Sequence, residues 1–368
     1  MTLLMEKALE IEEIFVEGYE KVLRIKEAKS GLDAIICIHD STLGPTLGGT
    51  RIYPYATFEL ALNDVLRLAK GMTYKSALAE CGFGGAKSVI IADAAKNKTE
   101  AKLLAFGKAV ASLAGLYICA EDVGCTTADV ATIAKATKYV TGLEHEKSSG
   151  NPAYFTAWGV YRGIQASLKK VFGSESVKDK TIAIQGLGNV GGILADILFW
   201  NGARLILSDI VMDKAKKLAK QYGAQYCSPD DIMKVECDVF APCALGGILN
   251  AKTIPALRCK IVAGAANNQL LTEKDGEDLS KRGILYAPDF VINAGGLINV
   301  AEELVFDGYH PVASRNKVDR LYDQLLTIFD IAEQNGYSTH RAATALGDYR
   351  LKYKIGKRRE QPHFHHAK

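Results

Sequence analysis

The sequence lacks any apolar run that approaches the ~18–20 residues needed to cross a bilayer as a helix. It also lacks a block of like charge, since 45 Lys and Arg against 42 Asp and Glu leave a net charge of +3. This near balance argues against a protein that binds nucleic acid through phosphate contacts. The first 16 residues carry four glutamates, which is wrong for a signal or transit peptide. We therefore expect a cytoplasmic protein with neither nucleic acid nor a membrane as a partner.

Cysteine is used sparingly and without a pattern. The eight cysteines form no C-x-x-C pair and no Cys/His cluster at zinc spacing. Most lie in apolar stretches, where cysteine behaves as a small buried hydrophobic residue, and this usage fits a reducing cytoplasm. The histidines near the chain end, His363, His365 and His366, are interpreted as part of a divergent tail, so we predict no metal site.

A polar, turn-rich segment at 144–152 separates two different arrangements of predicted strands and helices, and it is interpreted as a domain boundary. The length of 368 residues fits two domains of ~100–200 residues each, and 48% hydrophobic with 24% charged residues is ordinary globular composition. Before the boundary, apolar runs and periodicity predict strands at 34–39, 88–92 and 117–120, and helices at about 57–70, 99–114 and 127–137.

After the boundary, short apolar strands alternate regularly with helices. A helix at about 156–171 leads to a strand at 181–185, a Gly-rich turn and a helix through 193–200. Further strands are predicted at 204–208, 238–241, 260–263 and 284–287. This alternation is typical of a parallel sheet covered on both faces. A helical pattern returns from about 319, and the basic segment 354–368 is predicted to be frayed.

A G-x-G-x-x-G sequence, Gly186 to Gly191, follows the predicted strand 181–185 and opens a helix. In this context Gly186 permits the tight turn, Gly188 lets the backbone approach a pyrophosphate, and Gly191 allows close packing of helix on strand. Asp209 ends the next strand, 23 residues after Gly186, where a carboxylate accepts hydrogen bonds from the adenine ribose. A 2′-phosphate would be repelled there, so NAD is favoured over NADP. The alternative is a Gly-rich strand–helix turn that binds no ligand.

Two lysines twelve residues apart form a second candidate site. Lys75 lies beside a predicted helix end, and Lys87 follows the Gly-rich stretch 82–85. A lysine that is desolvated and near a second cation can lose its proton and act as a base. Glu121 and Asp122 follow the predicted strand 117–120, at the strand end where catalytic groups of α/β folds collect. For any one of these residues taken alone, a solvated surface charge is the commoner interpretation.

The motifs together closely resemble the glutamate/leucine/phenylalanine/valine dehydrogenase family, over about 11–342. The resemblance is strongest at 47–51, 66–75, 84–91, 120–124, 149–152, 185–190, 241–245, 264–270 and 286–300. It implies a two-domain α/β fold, with a substrate-binding and oligomerisation domain at 1–145 and a Rossmann-type doubly wound dinucleotide-binding domain at 146–334. An active-site cleft is expected between the domains, and the C-terminal part, about 335–368, is expected to pack back onto the first. The resemblance also implies a homo-oligomer, with an octamer favoured over a dimer.

The resemblance assigns roles residue by residue. Lys75 matches the lysine that holds the substrate α-carboxylate, Lys87 the catalytic lysine that activates water, and Asp122 the aspartate that moves protons to and from the amino group. For Asp122 a structural ion pair with a lysine is an alternative or additional role. Positions near the substrate backbone are Gly49, Met72 and Asn267. Positions expected to bind the cofactor are Gly186, Leu187, Gly188, Asn189, Val190, Gly191, Gly192 and Asp209 and, near the nicotinamide, Thr156, Ala241, Cys243, Ala244 and Asn293.

The expected substrate follows from two apolar positions. Relatives specific for glutamate carry a lysine where this chain has Leu47 and a serine where it has Val300, and those polar groups bind the side-chain carboxylate. Ala120 and Leu297 are expected to line the same pocket. An unpaired carboxylate buried there would be heavily penalised, so glutamate is expected to be rejected. Separating leucine from isoleucine or valine is harder, because one methylene is worth only ~1–3 kcal/mol.

The leading hypothesis is therefore NAD-dependent, reversible oxidative deamination of L-leucine, and also of isoleucine and valine, to the 2-oxo acid, ammonia and NADH. A phenylalanine- or valine-directed enzyme of the same family is the first alternative, and it differs only in pocket volume. A catalytically silent NAD-binding regulator is a remote alternative, because a degenerate relative would be expected to lose Lys75, Lys87 or Asp122. The partners expected are the small-molecule substrate and further copies of the chain.

Overall fold

The computed structural model describes residues 9–367. Residues 1–8, where the acidic N-terminal segment begins, and Lys368, at the end of the predicted frayed tail, lie outside the described residues. The chain divides into two compact units. The first unit contains the described residues up to 150, those from 300 to 310 and those from 350 onward, and the second contains 151–299 and 311–349. The return of 300–310 to the first unit is a feature that the sequence patterns do not indicate.

The first unit is built on a mixed six-stranded sheet in the order β1-β2-β3-β5-β4-β6. Strands β1, β2 and β3 pair antiparallel, β3 pairs antiparallel with β5, and β4 lies parallel to both β5 and β6. The strands are β1 (Glu10–Glu13), β2 (Lys21–Glu27), β3 (Leu32–Asp40), β4 (Thr46–Tyr53), β5 (Gly84–Ile91) and β6 (Tyr117–Glu121). The helices between them are α1 (Phe58–Ala79), α2 (Glu100–Ser112) and α3 (Thr127–Ala134).

Both faces of this sheet are covered, and a separate apolar cluster fills each face. On one face α1 packs Ala61, Val65 and Ala69 against Ile35 and Val89. The other face is filled by α2 and α3, through residues that include Phe106, Val110, Val130 and Ile133. Three helices begin with a threonine whose hydroxyl caps the helix: Thr57, Thr99 and Thr126.

The second unit is built on a fully parallel six-stranded sheet in the order β12-β11-β10-β7-β8-β9. Its strands are β7 (Thr181–Gln185), β8 (Arg204–Ser208), β9 (Gln225–Tyr226), β10 (Val239–Pro242), β11 (Ile261–Val262) and β12 (Leu285–Tyr286). This doubly wound sheet confirms the Rossmann-type fold predicted for the second half of the chain. The helices are α4 (Ala153–Phe172), α5 (Asn189–Trp200), α6 (Met212–Tyr222), α7 (Glu273–Lys281), α8 (Asp289–Ile292), α9 (Gly295–Ala301), α10 (Pro311–Asp319), α11 (Leu321–Asn335) and α12 (Thr339–Lys352).

Helix α1 is longer than the sequence predicts. The sequence predicts that the helix ends at about residue 70, just before Gly71, yet it continues to Ala79 and ends at Glu80, which adopts the left-handed conformation with φ +52°. A glycine inside a helix costs only about 1 kcal/mol, and the extra turns bury Ser76, Ala77 and Leu78. Lys75 therefore lies within a helix rather than beside a helix end, and Lys87 lies within β5 rather than in a loop.

The C-terminal tail is not frayed, which corrects the prediction for 354–368. The backbone N–H of Arg358 donates to the carbonyl of Leu43 at 2.8 Å, and that of His363 donates to Leu304 at 3.1 Å. The guanidinium of Arg358 lies over the ring of Phe83, with 4.5 Å to the centroid. These contacts are all within the first unit, so the described part of the tail belongs to that unit's packed surface.

Two features of residues 9–367 bear on the functional classes. Within this range, helices of sufficient length and hydropathy to cross a membrane are absent. The same range contains no group of three or more histidine, cysteine or acidic side chains placed to hold a metal ion.

Candidate active site and dinucleotide site

One face of the first sheet carries four of the ten predicted catalytic and substrate residues. Neighbouring strands place Gly49 beside Ala120 and Leu47 beside Gly85 and Ile118, and side chains two residues apart on a strand share a face. Lys87 lies beside Cys37 on this same face, which α1 covers. The predicted residues on this face are Leu47, Gly49, Lys87 and Ala120, with Asp122 just beyond the end of β6.

Lys87 and Asp122 form a buried ion pair. The Nζ of Lys87 lies 2.9 Å from Oδ1 of Asp122, and the two side chains are 7% and 17% exposed. The partner of Lys87 is thus a carboxylate, and a cation to which the sequence assigned no role, Arg51, binds the other oxygen of that carboxylate at 2.9 Å. The ion pair that we considered as an alternative role for Asp122 therefore exists, and it is compatible with a role in moving protons.

Gly49 has no side chain and therefore leaves space for this ion pair. A Cβ atom on Gly49 would lie 2.5 Å from the carbonyl oxygen of Glu121, 2.9 Å from Cβ of Asp122 and 3.2 Å from Nζ of Lys87. Contacts below 3.0 Å to backbone are not tolerated, so only glycine fits between β5 and the end of β6. The backbone of Gly49 consequently runs directly beside the lysine nitrogen.

Arg51 is a residue of this site to which the sequence patterns gave no role. It follows Gly49 by two positions on β4 and therefore shares its face, and its Nε donates to Oδ2 of Asp122. Its Nη1 donates to Oδ2 of Asp64, on α1, at 2.8 Å. The signal that could have identified it is the strand β4 itself, since a Gly-Gly-Thr-Arg sequence in extended conformation presents the second glycine and the arginine together.

The charges of Lys87 and Arg51 decide the ionisation of Asp122. Burial by itself would raise the pKa of this carboxyl, but the two cations outweigh burial and lower the pKa to about 2. Asp122 is therefore a carboxylate across the physiological pH range. It can accept hydrogen bonds from an amino group, and it takes up a proton only when the charge around it changes.

Lys75 and Met72 are placed on α1, above this face. Both are partly buried. Between them Thr73 contacts Gly85 of β5 so closely that a Cβ atom on that glycine would lie 2.1 Å from the Thr73 backbone nitrogen. The Thr73 hydroxyl also lies 2.8 Å from Nδ1 of His39, on β3. Glycine at position 85 thus lets this part of α1 approach the strand that carries Lys87.

The four residues predicted to read the substrate side chain lie in two places. Leu47 is 2% exposed, and Ala120, beside Gly49 across the strand pair, is partly buried. Leu297 and Val300 lie three residues apart on α9, a spacing that puts both on one side of the helix, and both are partly buried. The division between the two units falls within this helix, after Asn299.

The turn after β7 has the geometry that the glycine pattern requires. Gly186 has φ +92°, a conformation open to glycine, and a Cβ atom there would meet Ala244 at 2.8 Å. A Cβ atom on Gly191 would lie 2.0 Å from the carbonyl oxygen of Gly186, so the first turn of α5 packs directly on the loop. Gly188, in contrast, has nothing within 4 Å of its Cβ position. That open space at the start of α5 fits the close approach of a pyrophosphate.

The start of α5 has the chemistry of an anion site. Gly188 is the N-cap residue and supplies no side-chain hydrogen bond to the first turn, which begins at Asn189 and continues through Val190 and Gly192. The N–H groups of such a turn point outward and attract a phosphate. The carboxylate of Asp209, which is half-buried, accepts hydrogen bonds from the N–H groups of Leu187 at 2.7 Å and Val211 at 2.8 Å. These bonds fix the carboxylate beside the turn.

One of the residues predicted near the nicotinamide, Asn293, carries an unsatisfied polar atom. Asn293 donates its Nδ2 to Oδ1 of Asn267 at 2.8 Å and to the carbonyl of Ala265 at 3.1 Å. Among the residues that the structure describes, Oδ1 of Asn293 is buried without a hydrogen-bond partner. A buried amide oxygen of this kind calls for a donor, which the carboxamide of a nicotinamide can supply. The structure thus brings together Asn267 and Asn293, assigned to substrate and cofactor respectively.

The other residues predicted near the cofactor also lie in the second unit. Ala241 is buried in β10, and Cys243 and Ala244 follow that strand against the glycine turn. Burial raises the pKa of Cys243 to about 12, so its thiol is neutral. Thr156 lies in the first turn of α4, and a Cβ atom on Gly296 would stand 2.7 Å from its hydroxyl. The set fits a dinucleotide with its phosphates at the start of α5 and its nicotinamide beside Asn293.

Sequence comparison matches both halves of the chain to one family. Residues 20–139 match the model described as Glu/Leu/Phe/Val dehydrogenase, dimerisation domain, and residues 207–347 match Glutamate/Leucine/Phenylalanine/Valine dehydrogenase. The chain is 48% identical over 334 residues to a leucine dehydrogenase of Thermoactinomyces intermedius, covering 90% of this chain and 91% of that one. The chain belongs to the Glu/Leu/Phe/Val dehydrogenase family.

Two further relatives support the assignment. A leucine dehydrogenase of Geobacillus stearothermophilus is 49% identical over 90% of both chains. The crystal structure of an L-tryptophan dehydrogenase from Nostoc punctiforme superposes with a TM-score of 0.80 at 45% identity, covering 92% of this chain and 97% of that one. The protein is thus an amino-acid dehydrogenase, an oxidoreductase of the family whose members use NAD or NADP.

Proposed function

We propose that this dehydrogenase catalyses the NAD-dependent, reversible oxidative deamination of L-leucine, and also of L-isoleucine and L-valine. The observation that carries the proposal is Leu47, an apolar side chain that is 2% exposed and lies two residues from Gly49 on the same face of β4. A leucine-sized side chain gains roughly 1.5–3 kcal/mol on burial against such a surface, whereas a carboxylate finds no partner in it. The leucine dehydrogenases at 48–49% identity support the same choice.

The proposed roles follow from charge and position. Lys75 binds the substrate α-carboxylate, and the backbone of Gly49, with Met72 and Asn267, positions the atoms around the α-carbon. A nicotinamide held beside Asn293 would supply the hydride acceptor for that carbon. Lys87 removes a proton from the water that adds to the resulting iminium carbon, and Asp122 moves the proton that lets ammonia depart. The product is the 2-oxo acid.

NAD is proposed as the cofactor because of Asp209. Its carboxylate stands at the end of β8, held by the N–H groups of Leu187 and Val211, where the adenine ribose of a bound dinucleotide would lie. The three residues that follow it, Ile210, Val211 and Met212, are uncharged and exposed. A 2′-phosphate would thus meet a negative charge with no neighbouring cation in that segment, which disfavours NADP.

The oligomeric state and the cellular location are proposed from less specific observations. The match of residues 20–139 to a dimerisation domain supports a homo-oligomer, and we propose an octamer. We further propose that residues 1–145 form the substrate-binding and oligomerisation domain and 146–334 the dinucleotide-binding domain, and that the enzyme works in the cytoplasm.

A second substrate class is favoured by one observation. The tryptophan dehydrogenase from Nostoc punctiforme shares 47% identity over 91% of this chain, so a closely similar scaffold accommodates an aromatic substrate. Ala120, beside Gly49, is small and partly buried, so a substrate side chain placed against it meets only a methyl group. A phenylalanine-directed enzyme is the corresponding alternative, and a valine-directed enzyme differs from it only in pocket volume.

A panel of L-amino acids with NAD, read by NADH absorbance, tests the proposal. We expect leucine, isoleucine and valine to be oxidised, with aromatic amino acids slower. Lys87→Ala, assayed in parallel, shows whether the signal arises at this site. A preference for phenylalanine or tryptophan over leucine would favour the second substrate class, and the absence of turnover with every amino acid would contradict the proposed function.

A further inference from the structure

The guanidinium of Arg51 joins two carboxylates from different elements. Its Nε donates to Oδ2 of Asp122 at 2.9 Å, and its Nη1 donates to Oδ2 of Asp64 at 2.8 Å. The same oxygen of Asp64 accepts a hydrogen bond from the hydroxyl of Tyr55 at 2.5 Å. The side chains of Arg51, Asp64 and Asp122 are only 20%, 16% and 17% exposed. Two attachments in different directions suit the planar fork of arginine, which the point charge of lysine cannot reproduce.

These contacts extend the Lys87–Asp122 pair into a row of alternating charges. The order is Lys87, Asp122, Arg51 and Asp64, and the four formal charges cancel. Each oxygen of Asp122 is bound by a cation from a different strand, Oδ1 by Lys87 on β5 and Oδ2 by Arg51 on β4. The plane of the Asp122 carboxylate is therefore fixed from two sides, and Asp64 fixes Arg51 from the helix above.

We propose that Arg51 is a positioning residue for the deamination, which acts through Asp122 and keeps that carboxylate oriented and ionised while Lys87 gives up its proton. The inference rests on the proposed function, in which Lys87 activates water and Asp122 moves protons. When Lys87 is neutral, it no longer supplies a positive charge to Asp122. Arg51 does not change its charge in the reaction, so the negative charge of Asp122 persists beside the developing iminium.

The other titratable groups around the pair do not substitute for Arg51. Asp122 is faced by Lys87 from β5, by Arg51 from β4 and by the Cys125 thiol from the turn that follows β6; Arg51 is faced by Asp64 and Tyr55. Burial raises the pKa of both Cys125 and Tyr55, so these two groups are neutral. Burial lowers the pKa of Arg51, but the charges of Asp122 and Asp64 outweigh it, and the guanidinium remains protonated.

The first test compares Arg51→Gln and Arg51→Lys by steady-state kinetics with L-leucine and NAD. For Arg51→Gln we expect kcat to fall about tenfold or more, with a much smaller change in KM, because the substrate carboxylate is bound elsewhere. Its kcat/KM should also begin to fall at a pH about one unit or more above that of the native enzyme, because loss of the positive charge beside the Lys87–Asp122 pair favours the protonated form of the pair. Arg51→Lys should restore the pH profile and only part of kcat.

Arg67→Gln is the matched control. Arg67 approaches the other oxygen of Asp64 at 3.8 Å and its side chain is 55% exposed, so its removal takes the same type of charge from the same neighbourhood without touching Asp122. We expect native kcat and an unshifted pH profile. If Arg51→Gln does not fold, Asp64→Asn decides, since it should lower kcat with KM preserved. The inference is overturned if a folded Arg51→Gln has the same kcat and the same pH profile as Arg67→Gln. If Arg51→Gln does not fold, the same result for Asp64→Asn overturns it.

A cycle of melting temperatures separates this inference from the proposed function. Arg51→Gln, Asp122→Asn and the double variant are compared with the native chain. We expect the double variant to lose less than the sum of the two single losses, because the interacting pair is then removed together. Additive losses would overturn the positioning role. If the native chain oxidises no amino acid, the proposed function fails, while the cycle still decides whether Arg51 holds Asp122.

Discussion

Gly49 and Lys87 face each other on neighbouring strands so closely that a Cβ atom on Gly49 would lie 3.2 Å from the lysine Nζ. The same Cβ atom would lie 2.9 Å from Cβ of Asp122, the partner of Lys87. The absence of a side chain at this position is therefore a requirement of the ion pair. It couples the backbone of β4, along which a substrate can be aligned, to the nitrogen proposed to activate water.

Gly49→Ala should abolish most of the activity. The new methyl group can be accommodated only if β4 separates from the end of β6 or Asp122 moves, and misplacement by about 1 Å can cost roughly 100-fold in rate. Gly71→Ala is the control, because a Cβ atom on Gly71 meets nothing within 4 Å and the residue lies inside α1. That variant should keep its activity and gain about 1 kcal/mol of stability. Similar kcat for both variants would contradict this geometry.

The two lysines should separate binding from chemistry. Lys75→Ala should chiefly raise KM for the amino acid, because it removes a charge that interacts equally with the ground state and the transition state. Lys87→Ala should chiefly lower kcat and leave NAD binding, measured by titration of the free enzyme, intact. Near-native turnover in Lys87→Ala would remove it as the base.

Five of the six strands of the second sheet could be predicted from the sequence, all but β9, whereas only β3, β5 and β6 of the first sheet could. Strands β7 and β8 match the predicted 181–185 and 204–208, because buried parallel strands are continuous apolar runs. Strand β2 has Arg24 among its buried residues and Lys21 and Lys26 on either side of them, and β4 contains two glycines, so neither resembles such a run. Because β4 was not predicted as a strand, Arg51 was not identified as a site residue. Arg51 shares a face with Gly49 only if the backbone between them is extended.

The identity of the site residues was more predictable than their contacts. The motifs indicate that Lys87 and Asp122 are catalytic residues. Their pairing, however, depends on β5, β4 and β6 lying side by side, with β4 in the middle. That order is a long-range property, since Gly49 and Asp122 are distant in sequence. The packed tail is similar: nothing in the composition of 354–368 shows that Leu43 and Leu304 present carbonyls to it.

Cofactor choice should depend on the charge of Asp209. The native enzyme should have a kcat/KM for NAD about 100-fold or more above that for NADP, because a carboxylate beside a 2′-phosphate is repulsive. Asp209→Asn retains an oxygen that can accept from the Leu187 N–H and removes the charge, so it should narrow this ratio. Asp213→Asn, in the exposed first turn of α6, should leave the ratio unchanged. Comparable use of both cofactors by the native enzyme would refute this assignment.

Arg358 should contribute to stability although it lies near the end of the chain. It donates to the carbonyl of Leu304 and packs on Phe83, and hydrogen bonds from charged groups are worth about 1.5–3 kcal/mol. Arg358→Ala should therefore lower the urea midpoint of unfolding measurably. Arg359→Ala removes the same side chain from an exposed neighbouring position and should not. Equal midpoints for the two variants would mean that the tail frays in solution.

Substrate specificity should depend on the apolar pair Leu47 and Val300. L-glutamate should be oxidised at ~1% or less of the rate of the best substrate, because its carboxylate would be buried without a partner. The double variant Leu47→Lys with Val300→Ser should lose activity on L-leucine, since both changes put polar groups against an apolar side chain. A gain on glutamate needs neighbours that orient the new ammonium, so it should be the smaller effect. Leu60→Lys, at a position on α1 that is 52% exposed, controls for the added charge and should behave as the native enzyme. A native enzyme that prefers glutamate would show that Leu47 and Val300 do not face the substrate side chain.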